Sequence, residues 1–200
     1  STAVKKGLAT NQQQEQLTAI MAELNRSAAQ VMNRFPVHAC TDVTGFGLMG
    51  HLHEMTHPGA INAEVYAESI PLINGTWEYA SANLIPGGTR DNLSYLQEHL
   101  IWGEGVSQTQ KLILCDAQTS GGLLFAIAPE YQQQVLDQLR EASVSKAQVI
   151  GKFTRKDTGT ITIKKYIMNK ERWTLEGHKA LIKGGTKGIG AAIAKELKEF

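Results

Sequence analysis

The chain has 200 residues, of which 42% are hydrophobic and 20% charged, and its formal net charge is +1. That is enough apolar material for a packed core and excludes a disordered chain, while the balanced charge argues against a nucleic-acid surface as its main business. No run approaches the length of a membrane span, the start "STAVKKGLAT" is too polar for a secretory segment, and two cysteines (Cys40 and Cys115) without a Cys-x-x-Cys spacing point to a reducing cytoplasm.

In chain order, residues 13–33 read as one helix. Leu17, Ile20, Met21, Leu24, Ala28, Val31 and Met32 recur at three- and four-residue steps, and Thr10 with Gln13 forms a capping-box pattern ahead of them. After Pro36, "VHACTDVTG" runs into glycines at 45, 47 and 50. A short helix is expected over Leu48–Met55, stopped by Pro58-Gly59. Alternation predicts a strand at 61–66. Residues 67–111 read as looser, with a short helix near 76–83 and "IPGGTRDN" as loop architecture. An apolar run, a Gly121-Gly122 turn and a buried strand at 123–127 follow, then a helix at 130–142 opened by Pro129. Strands are expected at 147–153 and 160–165 around the turn "RKDTGT".

Two short patterns compete for the chemistry. His53-Glu54-Met55-Thr56-His57 fits H-E-x-x-H, in which two histidines one helical turn apart ligate zinc and the glutamate activates water. Against it, Pro58 pushes His57 away from the α region, and no third ligand has a supporting pattern. The histidines are therefore expected on a polar helix face, and a zinc hydrolase is the weaker alternative. In the second pattern Asp42 stands before a glycine-rich loop. A carboxylate so placed suits Mg²⁺, which takes one or two carboxylates with phosphate oxygens and water, although it could equally cap the following turn.

Three motifs taken in order, "TDVTGFGLMGHLHEM" (41–55), "IPGGTRDN" (85–92) and "LCDAQTSGGLLFAI" (114–127), resemble the carboxy-terminal half of selenophosphate synthetase, the selenide, water dikinases. The resemblance covers about residues 1–165. It implies the α/β carboxy-terminal domain shared with aminoimidazole ribonucleotide synthetases, a mixed sheet flanked by helices. It also implies an enzyme that makes selenophosphate, AMP and orthophosphate from ATP and selenide with Mg²⁺, and it makes Asp42 a metal ligand. The nucleophilic Cys or selenocysteine, the essential Lys and the nucleotide-binding residues of that family lie in an amino-terminal half. The resemblance thus implies that residues 1–12 lead in from a missing ATP-binding domain, that no catalytic residue lies here, and that the fragment is inactive alone. The complete protein is expected to be a cytoplasmic homodimer binding neither membrane nor nucleic acid. A non-catalytic remnant or interaction module of the same fold is the alternative. Cys40 and Cys115 are expected to be buried structural thiols.

Near residue 167 the character changes. Met168 reads as a fresh start, and "ALIKGGTKGIGAAIAKEL" resembles the opening βα unit of a short-chain dehydrogenase/reductase. Gly184, Gly188 and Gly190 match its phosphate-binding turn, whereas Lys183 stands where Thr is expected. Residues 168–200 are expected to be a truncated unit of that kind.

Overall fold

The computed structural model describes residues 1–165; the expectations for 168–200 lie outside the described residues. Three helices come first, α1 (Thr2–Lys5), α2 (Asn11–Ala22) and α3 (Arg26–Met32), followed by strand β1 (Val37–Asp42) and helix α4 (Gly47–Thr56). Then come β2 (Ile61–Tyr66), α5 (Thr76–Ser81), α6 (Gly87–Tyr95), β3 (Leu100–Trp102) and α7 (Gln108–Leu114). The remaining elements are β4 (Leu123–Ile127), α8 (Gln132–Glu141), β5 (Gly151–Lys156) and β6 (Ile161–Lys164). β1 and β4 form an antiparallel pair, while β3-β6-β2-β5 form a mixed sheet in which only β2 and β5 run antiparallel. The mixed sheet flanked by helices is the α/β architecture expected.

Two apolar clusters hold these elements. The larger joins the four-stranded sheet to the segment after β1. Ala63, Val65, Ile161 and Ile163 pack with Val43, Leu48, Met49, Leu52, Leu114 and Cys115. The smaller lies between α3 and α8, where Val31, Val135 and Leu139 are capped by an edge-to-face pair of Phe35 and Tyr131 with ring centroids 6.0 Å apart.

Several boundaries differ from the sequence reading, each for a local reason. The helix expected over 13–33 starts with the Thr10–Gln13 capping box but breaks at Glu23, whose ψ of 128° is extended. Asn25 does not cap α3 with its side chain; its Nδ2 donates instead to the Gly121 carbonyl at 3.2 Å. A long-range hydrogen bond thus takes the residue that would have carried the helix through, and Leu24 is left 76% exposed. "IPGGTRDN" is not a loop. Pro86 is the N-cap of α6, and the two glycines form its first turn, where Gly88 runs close to Ala117. The run before Cys115 is α7, capped by Ser107 and Gln110, rather than a strand-like segment. β5 begins at Gly151, four residues later than expected, against the β2 backbone at Glu64.

Candidate functional site

The 41–55 motif leaves β1 at Asp42, which pairs with Leu123 across the two-stranded sheet. Asp42 is exposed, and among the described residues no hydrogen bond or ion pair engages its carboxylate. The backbone just beyond it is fixed to the 114–127 motif. Val43 N–H donates to Gly122 O at 3.0 Å, Gly121 N–H donates to Val43 O at 2.9 Å, and Gln118 N–H donates to Thr44 O at 3.1 Å. Gly121 meets Val43 O so closely that no Cβ fits there. Gly47 then turns the chain into α4 with φ of +70°, packed against the Cys115–Asp116 peptide.

The 85–92 motif ties the other two together. Asn92 Nδ2 donates both to Gly45 O at 2.9 Å and to Cys115 O at 3.1 Å, bridging the Asp42 loop and the 115–122 turn. One helical turn earlier Thr89, 0% exposed, donates from Oγ1 to Asp116 Oδ1 at 2.9 Å and accepts from Ala117 N–H at 3.2 Å. Burial pushes the Asp116 carboxyl up from its ordinary range, with the Thr89 hydrogen bond opposing. Positions 89 and 92 share a face only because residues 87–95 are helical. Reading them as a loop concealed that pairing, and Thr89, Asp116 and Asn25 carried no signal of their own. Asp116 also lines a cavity of about 230 Å³ together with Gln13, Leu48, Tyr79, Gln118 and Thr119.

Replacing Asn92 by leucine keeps most of the volume but leaves the part-buried Cys115 carbonyl without its donor, while the exposed Gly45 carbonyl turns to water. A buried acceptor left without a donor costs about 1–3 kcal/mol. Urea unfolding should therefore show a loss of about 1–3 kcal/mol, and a loss below about 0.5 kcal/mol would mean that water replaces the amide without cost at both carbonyls.

The histidine motif also has a place in this frame. α4 continues further than Pro58 suggested: His57 keeps helical angles (φ −64°, ψ −48°), and its N–H bonds to His53 O at 2.9 Å. A proline restricts the residue before it, yet here the last helical hydrogen bond and the packing of α4 prevail. Nor is this face polar, because His51 and His53 are both buried. His51 lies between Thr44 Oγ1 (3.0 Å from Nε2) and Glu54 Oε2 (2.9 Å from Nδ1), so the glutamate of H-E-x-x-H braces the Asp42 loop through His51. Among the described residues, no three His, Cys, Asp or Glu side chains are arranged to hold a metal ion. The zinc-hydrolase reading thus lacks both its free glutamate and its ligand set.

The cysteines divide. Cys40 is exposed on β1, contrary to expectation, because its position alternates outward with His38 and Asp42. Cys115 is fully buried, and burial pushes its thiol up to about 12. Cys40 is also raised, by partial burial and then by Asp42. Both therefore remain protonated thiols at neutral pH, unsuited to a nucleophile's role.

Residues 2–164 match the family described as AIR synthase related protein, C-terminal domain, and the chain belongs to that family. Its curated relatives include the selenide, water dikinases of Carboxydothermus hydrogenoformans, 40% identical over 149 residues (74% of this chain, 43% of the relative), and Pelobacter propionicus, 39% identical over 163 residues (82% and 47%). That of Clostridium botulinum strain Eklund 17B is 37% identical over 164 residues (82% and 47%). The chain thus spans about half the length of the curated relatives it matches. Among the described residues no helix is long and apolar enough to cross a membrane.

Proposed function

We propose that residues 13–165 are the carboxy-terminal domain of an ATP- and Mg²⁺-dependent selenide, water dikinase making selenophosphate, AMP and orthophosphate, and that Asp42 is this domain's metal ligand. The observation that carries the reading is an exposed carboxylate on a loop held from three sides by the motifs of this family. A hard cation needs such an oxygen ligand at a fixed position, and Mg²⁺ accepts a single carboxylate when phosphate oxygens and water complete its octahedron. Bound there, Mg²⁺ would neutralise phosphate charge and help align the transferred group. The chain's own contribution is positional. Pairing of β1 with β4 holds the backbone before Asp42, Asn92 and the Gly121–Gly122 turn hold it just after, and Thr89 holds the 116–117 turn itself, so the carboxylate meets its partner without reorganisation.

In this reading the remaining metal ligands, the nucleotide site and the nucleophile come from an amino-terminal half, with residues 1–12 leading in from it. The complete protein is a cytoplasmic homodimer. The dehydrogenase-like sequence of residues 168–200 has no assigned part in the reaction in this reading.

Selenide-dependent ATP hydrolysis tests the proposal, using the chain alone and the chain joined to the amino-terminal half of the Carboxydothermus hydrogenoformans relative. The joined protein should be active only with Mg²⁺, the chain alone inactive. Asp42→Asn in the joined protein should lower the rate by about 100-fold or more, the scale of losing one preorganised electrostatic contact. An active joined protein that tolerates Asp42→Asn would remove Asp42 from the site.

A further inference from the structure

α4 begins directly after the Asp42 loop, and α6 holds that loop through Asn92. Their far ends meet through imidazoles. The rings of His53 on α4 and His99, just after α6, are stacked with centroids 4.2 Å apart and planes 27° apart. His57 closes the group at 4.9 Å from His53 and 5.9 Å from His99, and Tyr95 stands edge-on to His53 at 6.4 Å. His53 is only 7% exposed, and its Nδ1 is buried with no hydrogen-bond partner.

We infer that the His53–His57–His99 stack is a proton-sensitive clasp, closed when its rings are neutral and opened by protonation, which sets how firmly α4 and α6 hold the Asp42 loop. The inference concerns the loop's mechanical support and does not depend on the loop's role in catalysis.

Neutral imidazoles stack as other aromatics do. A proton on His53 places positive charge against two close neighbouring rings, on a side chain that is only 7% exposed. Burial, then His99, then His57 hold the His53 imidazole below its ordinary value, with Glu54 opposing. These are the charges that act on it. Glu54 is already engaged by His51, and Tyr95 offers an uncharged ring. The turn between β5 and β6 approaches His57 through Gly159, which has no side chain. β1, β2 and α7 also pack on α4 and bring no further charge to His53.

The sign follows from linkage. A base whose folded-state value is lowered binds protons more readily when unfolded. Its contribution is therefore fully present above the ordinary histidine value of about 6.5 and is lost as pH falls below it toward the lowered value.

Urea unfolding of the 200-residue chain between pH 5 and 8 tests this, alongside His99→Phe, which keeps a ring but cannot titrate, and His38→Ala, which removes an exposed histidine outside the stack. For the parent chain and His38→Ala, the unfolding constant should rise several-fold as pH falls from 7.5 to 5.5. His99→Phe should lessen that rise, leaving the part that burial of His53 supplies. Amide-exchange protection in α4 and α6 of the parent should fall over the same window while that of α8 does not. The clasp is overturned by a parent profile that stays flat, by a His99→Phe profile as steep as the parent's, or by loss of the rise in His38→Ala. Should His99→Phe not fold, His99→Gln carries the comparison, and the imidazole shifts of the parent must still show His53 titrating below 6.5.

Discussion

Gly47→Ala is expected to lower stability by about 3 kcal/mol, measured by urea unfolding. The residue has φ of +70°, where an L side chain is strained by about 1–3 kcal/mol. A Cβ there would lie 2.8 Å from Cys115 C, Cys115 O and Asp116 O. These are backbone atoms of the turn that Asn92 and Thr89 also hold, so they cannot swing aside as a flexible side chain would. Relieving the overlap means moving the turn, at a further cost of about 1–3 kcal/mol. Gly87→Ala is the matched control. It lies in the first turn of α6 with open space around it, so alanine there should be neutral or stabilising by up to about 1 kcal/mol. A Gly47→Ala protein within about 0.5 kcal/mol of the parent would show that this close approach is not rigid and that the loop carrying Asp42 has room to move.

The contrast between these glycines also shows what the sequence conceals. β2, α4, α5, β4 and the capping box of α2 follow from periodicity and punctuation, because each depends on residues within a few positions of itself. The α6 segment has the sequence signature of a loop because Pro-Gly-Gly is turn chemistry. Helicity there comes from packing on α7 and the 115–117 turn, which tertiary contact supplies and propensity does not. The break at Glu23 has the same origin, since Asn25 is drawn to a carbonyl 96 residues away.

At the site, the exposure of Asp42 on its glycine loop matches its local pattern. The bracing of that loop by Asn92, Thr89 and His51 had no local signature. The three motifs became one site only when helix α6 brought positions 89 and 92 onto a single face. His99 stayed hidden for the opposite reason: a residue at the end of a polar stretch offers no periodicity, and its meaning lies wholly in its distance from His53.

Ile161→Ala should be comparably damaging, and its effect should reach the same loop. Ile161 sits in β6, between β2 and β3 in the four-stranded sheet, and is 0% exposed. It faces Ala63 on one side and Leu100 on the other, and its N–H donates to His99 O at 3.0 Å. Truncation to alanine removes three carbons from a packed interior and is expected to cost about 2–5 kcal/mol, against about 0.5–1.5 for Ile161→Val. The cluster that loses those atoms also contains Val43, Leu48, Met49 and Cys115. The cavity therefore opens behind the backbone that presents Asp42, and amide protection over residues 43–50 should fall together with global stability. Val135→Ala in the separate α3–α8 cluster should also lower global stability while leaving protection over 43–50 above the level of the Ile161 variant. If the two variants changed that segment equally, the division into two cores would have no energetic meaning, and the loop's rigidity would have to come from its hydrogen bonds alone.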